Sequence, residues 1–191
     1  MHLHRSHDRK VANMVTPSAN SLIANAFGLP AGRQYSCRGM TSYCGEICYA
    51  GKLERVFKGL LPKLMENWEL LQACADQSAI EALLEEMVQD FEYECKKYSA
   101  DRLFRIHWDG DFYSDDYARA WRAVIQRHPE TQFWTYTRVA SVVPILIGLD
   151  NLSLYFSADR DNKEIASQLR EKHGVNVAYL DDTFNQAKEV M

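Results

Sequence analysis

Leu103-Phe104-Arg105-Ile106-His107-Trp108-Asp109-Gly110-Asp111-Phe112 reads as a strand that runs into a polar turn. Its alternation places Phe104, Ile106 and Trp108 on one side and Arg105, His107 and Asp109 on the other. A strand covered by helices on both faces would be apolar on both. A polar face instead predicts a sheet that curls around a site.

Downstream, Ser114 caps a helix carrying Tyr117, Trp121, Val124 and Ile125, which Pro129 stops. Gln132-Phe133-Trp134-Thr135-Tyr136-Thr137 is a second strand, followed by a short helix near 140–148. Leu152-Ser153-Leu154-Tyr155-Phe156-Ser157 is a third, with Leu152, Leu154 and Phe156 opposite Ser153, Tyr155 and Ser157. Asp161 with Glu164 caps the next helix, which ends at Gly174. Val175–Leu180 is the last strand, and a short helix follows Asp182. Such alternation makes a parallel sheet with right-handed crossovers. Four clear strands, plus a short one within 21–27, are too few for an eight-stranded barrel. The expectation is an α/β fold built as a partial (incomplete) TIM-like barrel. An open twisted α/β sheet is the alternative.

Upstream, Leu53, Val56, Phe57, Leu60, Leu61, Leu64, Trp68 and Leu71 repeat at helical spacing. Pro62 divides or kinks that pattern. A further helix starts at Ser78, with Glu81 completing a capping box. Its apolar face is Ile80, Leu83, Leu84, Met87, Phe91, Cys95 and Tyr98, so Cys95 is read as core, and Cys74 likewise. The whole chain is expected to be a single domain of 191 residues. Residues 1–16 form a mobile N-terminal segment, 36–50 a cysteine loop, 53–99 a helical segment and 103–180 the alternating core.

An apolar fraction of 47% suits a globular chain that builds its core without disulfides. A net charge of −4 argues against a broad nucleic-acid surface. No run of eighteen apolar residues exists to span a membrane. Reduced cysteines without a secretion signal predict a cytoplasmic protein.

Three of the five cysteines, Cys37, Cys44 and Cys48, are spaced Cys-x6-Cys-x3-Cys on a loop rich in polar residues and glycine. Closely spaced thiolates bind soft metals and iron–sulfur clusters. One helical turn would put Cys44 and Cys48 on one face, with Cys37 folding back over Gly39. Gly39 and Gly45 supply loose backbone. Three cysteines suit a [4Fe–4S] cluster whose fourth iron is open or held by a non-cysteine group. Zinc is the alternative, although structural zinc usually takes four protein ligands. Burial as small core residues is the plain reading. A disulfide is disfavoured by the odd cysteine count. His2, His4 and His7 are read as part of the mobile terminus.

In an α/β fold the site lies at the carboxyl ends of the strands. Those ends read Asp109-Gly110-Asp111-Phe112, Tyr136-Thr137-Arg138, Ser157-Ala158-Asp159 and Asp181-Asp182. The candidate catalytic residues are Asp109, Asp111 and Arg138. The candidate cofactor-binding residues are His107, Gly110, Asp111, Arg138 and Ser157. Each has a plainer account: Asp111 as a helix cap, Arg138 bridging Asp159, His107 as a satisfied interior histidine. Two carboxylates near one turn also suit Mg2+, which leaves the cysteines without a role.

The Cys37…Cys44…Cys48-Tyr49-Ala50 loop, then Phe104-Arg105-Ile106-His107 leading to Gly110-Asp111-Phe112, then Tyr136-Thr137-Arg138, resembles the phage gene product 88 family. The likeness runs from about Leu29 to Ser157. It implies a phage protein acting in the host cytoplasm. Arg38 stands where that family tends to have proline. No cysteine follows Cys95, where longer members carry a further cysteine-rich stretch. The layout is also loosely similar to radical S-adenosylmethionine enzymes, though with a different cysteine spacing. That likeness implies S-adenosylmethionine on the open iron, its ammonium at Gly110-Asp111 and a carboxylate at Arg138. The expected function is therefore iron–sulfur binding with radical or redox chemistry on a small molecule. The alternative is a zinc-stabilised module that binds a host protein or nucleic acid.

Overall fold

The computed structural model describes residues 2–8, 10, 19 and 21–181. Among them, six strands form one sheet in the order in which the chain makes them. They are β1 (Arg5–Ser6), β2 (Ala26–Phe27), β3 (Leu103–Ile106), β4 (Gln132–Thr137), β5 (Leu152–Ala158) and β6 (Asn176–Tyr179). β1 pairs antiparallel with β2, and every later pair is parallel. The sheet is open, with β1 and β6 at its edges. The helices are α1 (Ser42–Ile47), α2 (Tyr49–Val56), α3 (Leu60–Gln72), α4 (Gln77–Tyr98), α5 (Asp115–Arg127), α6 (Val143–Leu146) and α7 (Lys163–His173). A 3-10 turn, Ala140–Val142, precedes α6.

Register explains the two faces. Phe104 pairs with Phe133, Ile106 with Thr135, Thr135 with Leu154, and Thr137 with Phe156. Those side chains lie toward α4 and α5, where Phe91, Tyr117 and Trp121 are buried against Phe27, Phe104 and Phe133. Each parallel crossover steps one strand in the same direction, so crossovers of one hand share that face. The opposite face carries Arg105, Trp134, Tyr136, Tyr155 and Ser157. Its aromatic residues pack on one another, Trp134 edge to face with Tyr136 at 5.4 Å and Tyr136 tilted against Tyr155 at 5.2 Å.

Local chemistry sets the element ends. Ser114 caps α5 as expected, its Oγ accepting from the Tyr117 N–H. Gly174, with φ of 68°, ends α7 in the left-handed conformation that glycine tolerates. The α4 cap is Asp76 rather than Ser78, because the Asp76 carboxylate accepts from the Ala79 N–H. Asn162, not Asp161, precedes α7; Asp161 instead accepts a hydrogen bond from the Tyr43 N–H. The break between α2 and α3 falls before Pro62, which sits in the first turn of α3 where no N–H is required. Of the expected α4 face, Ile80, Leu84, Met87, Phe91 and Cys95 are buried, whereas Tyr98 is exposed.

The opening residues, expected as a mobile segment, contribute an edge strand. Arg5 donates to the Ala24 carbonyl and pairs with Glu94 at 3.0 Å, while the His4 ring pairs with Glu66. The helix expected after Asp182 lies outside the described residues. No helix among the described residues is long and apolar enough to cross a membrane.

Candidate functional site

The chain turns sharply after β3, and the sharpness depends on glycine. Gly110 has φ of 79°, and a Cβ there would stand 2.5 Å from Ser36 Oγ and 2.7 Å from the Leu29 carbonyl. The same Ser36 Oγ accepts from the Asp111 N–H and donates to the Pro30 carbonyl. The start of the cysteine loop is thus stitched to the end of β3. Gly39 packs as closely at the end of β4, where a Cβ would lie 2.4 Å from the Arg138 carbonyl oxygen.

The remainder of the loop is held by caps. Thr41 Oγ1 accepts from the Cys44 N–H, opening α1, and donates to Asp159 Oδ2 at 2.6 Å. Cys44 lies inside α1, whereas Cys48 is the junction between α1 and α2, with φ −51° and ψ 108°. The expected single turn through both cysteines is therefore broken at Cys48. Its Sγ accepts from the Gly51 N–H at 3.4 Å. Cys37 is tied back by its own N–H to the Gly32 carbonyl.

These contacts bring Cys37, Cys44 and Cys48 to one cavity of about 370 Å³, within the size range of small-molecule sites. Asp109, Gly110, Asp111, Arg138 and Ser157 line the same cavity, at the carboxyl ends of β3, β4 and β5. Cys74 and Cys95 lie elsewhere: Cys95 is buried on α4, and Cys74 packs beside the core.

The two aspartates differ. Asp111 is fully engaged, Oδ1 accepting from Thr137 Oγ1 and the Phe112 N–H, Oδ2 from the Arg138 N–H. Burial raises its carboxyl to about 6, with those hydrogen bonds opposing. This geometry makes Asp111 a clasp between the ends of β3 and β4. Asp109 is 2% exposed, and neither oxygen has a hydrogen-bond partner of good geometry among the described residues. The Gly110 N–H and the Glu54 carboxyl stand beside it at poorer geometry. Burial, then the Glu54 charge, push Asp109 up to about 8.

Arg138 pairs with the fully buried Asp159, as the plainer sequence account anticipated. His107 leaves the polar face on which alternation placed it. β3 ends at Ile106, and His107 takes a positive φ of 59°. The imidazole turns toward the helices, packing on Phe112 at 4.6 Å, with Nε2 at 2.9 Å from the Tyr117 hydroxyl. Burial holds the ring neutral, lowering it to about 3. Its side chain belongs to the core, although the residue still borders the cavity.

Several contributors were not among the sequence candidates. Arg105 lines the cavity, paired with Asp8 and 5.0 Å over the Trp134 ring. Its position on the polar face of the β3 alternation was the available clue. Tyr49 lines the cavity and donates to the Trp108 carbonyl. Glu54 and Thr41 reach the site only through folding, and nothing in their local sequence marks them.

Thiolates bind metal only after losing their protons. Burial pushes Cys37 up to about 12 and raises Cys44, where the Arg138 charge opposes. Among the described residues, no three of His, Cys, Asp and Glu gather about one point as a single metal ion requires. A cluster asks less of the backbone, since each thiolate meets its own iron. Cys37, Cys44 and Cys48 all border the one cavity.

The family model described as Gene product 88 matches residues 1–191. The chain is 50% identical over 192 residues to the Gene 88 protein of Mycobacterium phage L5, covering 97% of this chain and 80% of that protein. It is equally similar to the Gene 88 protein of Mycobacterium phage D29, covering 97% and 79%. No solved structure matches. A match along the whole chain, with half the residues identical in two phage proteins, shows that this chain belongs to the gene product 88 family.

Proposed function

We infer that this chain binds a [4Fe–4S] cluster through Cys37, Cys44 and Cys48, leaving one iron open or non-cysteine-ligated toward the strand-end cavity. One observation carries the reading. Three cysteines from a loop without a shared helix line the same cavity as Asp109, Asp111, Arg138 and Ser157. Such a cluster, when bound, supplies one-electron chemistry, of the redox or radical kind. The chain's own groups suit that task. The Arg138 guanidinium beside Cys44 offsets thiolate charge, and Asp159 and Thr41 hold the arginine and the loop in register. The cavity these residues line is large enough for a small molecule, S-adenosylmethionine being the one the layout suggests. The consecutive strand order supports reading the sheet as an incomplete TIM-like barrel, with the cavity on its inner face.

The second reading is a zinc-stabilised interaction module that binds a host protein or nucleic acid, with the cysteine loop as its structural staple. Purification without oxygen, followed by an ultraviolet–visible spectrum with iron, sulfide and zinc contents, separates the two. Broad brown absorption with about four irons per chain supports the cluster. A colourless protein carrying zinc, and taking up no iron or sulfide on reconstitution, overturns it.

A further inference from the structure

We propose that the end of the cavity at Asp109, with Glu54 standing beside that carboxyl, is a subsite for an ammonium group, so that the cavity's ligand is a cationic amine. The proposal rests on the cavity alone and not on the cluster.

The Asp109 carboxyl is sequestered at 2% exposure, and neither oxygen is properly hydrogen-bonded within the protein. A buried acceptor left without donors is costly, and a ligand donor removes that cost. A second carboxyl, Glu54, stands beside it. Two neighbouring carboxyls favour a cation over a neutral or anionic group, because a positive charge offsets the negative charge that ionising the pair would place there. Glu54 is itself oriented, accepting from the Ala31 N–H at 2.7 Å. Aromatic residues line the same cavity, Tyr49, Trp108 and Tyr136 among them, and ring faces attract cations.

The cations already present do not fill this role. Arg105, on the same wall, is paired with Asp8, and Arg138 with Asp159. Lys10, which also borders the cavity, is exposed to solvent.

Benzylamine and benzyl alcohol are matched probes differing chiefly in charge. Each is titrated into the full chain, both as the metal-free protein and after iron–sulfide reconstitution, with amide chemical shifts as the readout. The expected result is saturable binding of benzylamine, with shifts around Gly110, at least about ten-fold tighter than benzyl alcohol. Asp109→Asn, which keeps the size and the neutral state, is expected to lose about ten-fold in benzylamine affinity. Glu54→Gln, at a half-buried position, tests the same subsite without touching the buried carboxyl and is expected to weaken benzylamine by a smaller factor. Equal affinity for the two probes, or unchanged benzylamine affinity in both variants, overturns the subsite. Because the metal-free protein is measured as well, loss of the cluster reading alone leaves this result intact.

Discussion

Replacing Gly39 with alanine tests whether the cysteine loop is held by backbone contact with the end of β4. A Cβ at this position would lie 2.4 Å from the Arg138 carbonyl oxygen and 2.6 Å from its carbon. Ordinary contact begins near 3.4 Å, so backbone on one side must retreat by about 1 Å. No flexible side chain can absorb that movement, since both partners are main chain. Overpacking of this kind costs about 1–3 kcal/mol. For a chain of this length, that lowers the melting temperature by about 2–12 °C. The retreat also moves Cys37 relative to Cys44 and Cys48, so iron uptake on anaerobic reconstitution falls together with stability. Gly59→Ala is the control, because nothing lies within 4 Å of its Cβ and its φ is an ordinary −87°. Thermal unfolding and iron content are measured on both variants. Native melting temperature and native iron content in Gly39→Ala would show that the close approach does not position the loop.

Other perturbations address separate parts of the molecule. Arg138→Met strands the fully buried Asp159 with only Thr41 and backbone donors, and is expected to cost about 3 kcal/mol in urea unfolding. His128 bridges Glu85 at 2.9 Å and Glu92 at 3.0 Å between α4 and the end of α5, so His128→Ala should destabilise by about 1.5–3 kcal/mol in the same assay. Asp109 titrates near 3.8 when unfolded and near 8 when folded, so the native state holds the extra proton between those values. Its contribution therefore makes stability fall as pH rises through that window, and Asp109→Asn should lose stability less steeply than the native protein from about pH 6 to about pH 8. Cys44→Ala should abolish iron retention measured on the anaerobic protein, whereas Cys74→Ala, beside the core rather than the cavity, should keep it.

Much of the frame was legible from periodicity. Gln132–Thr137 forms a strand over the span its alternation indicates, Ser114 caps α5, and Gly174 ends α7. Cys95 is buried on α4, as its place in the apolar repeat implied. The misplacements share a cause. Ser78 and Asp161 match local capping patterns, yet Asp76 and a tertiary bond to Tyr43 compete for the same donors and side chains. His107 follows the strand alternation in sequence, but one left-handed residue at the strand end reverses the face it presents.

The sequence by itself determined the α/β class, the parallel pairing of the strands from β2 onward and the grouping of Cys37, Cys44 and Cys48 within one short polar stretch, because these depend on residue periods and on spacing along the chain. Only the tertiary structure decided which carboxylates are clasped and which are left without donors. Asp109 and Asp111 are two residues apart and look alike in sequence. Thr137 and Arg138, brought by β4, satisfy one of them, while Glu54, brought by α2, crowds the other. Hydrogen bonding and burial depend on which distant segments meet, and that information does not reside in either aspartate's own neighbourhood.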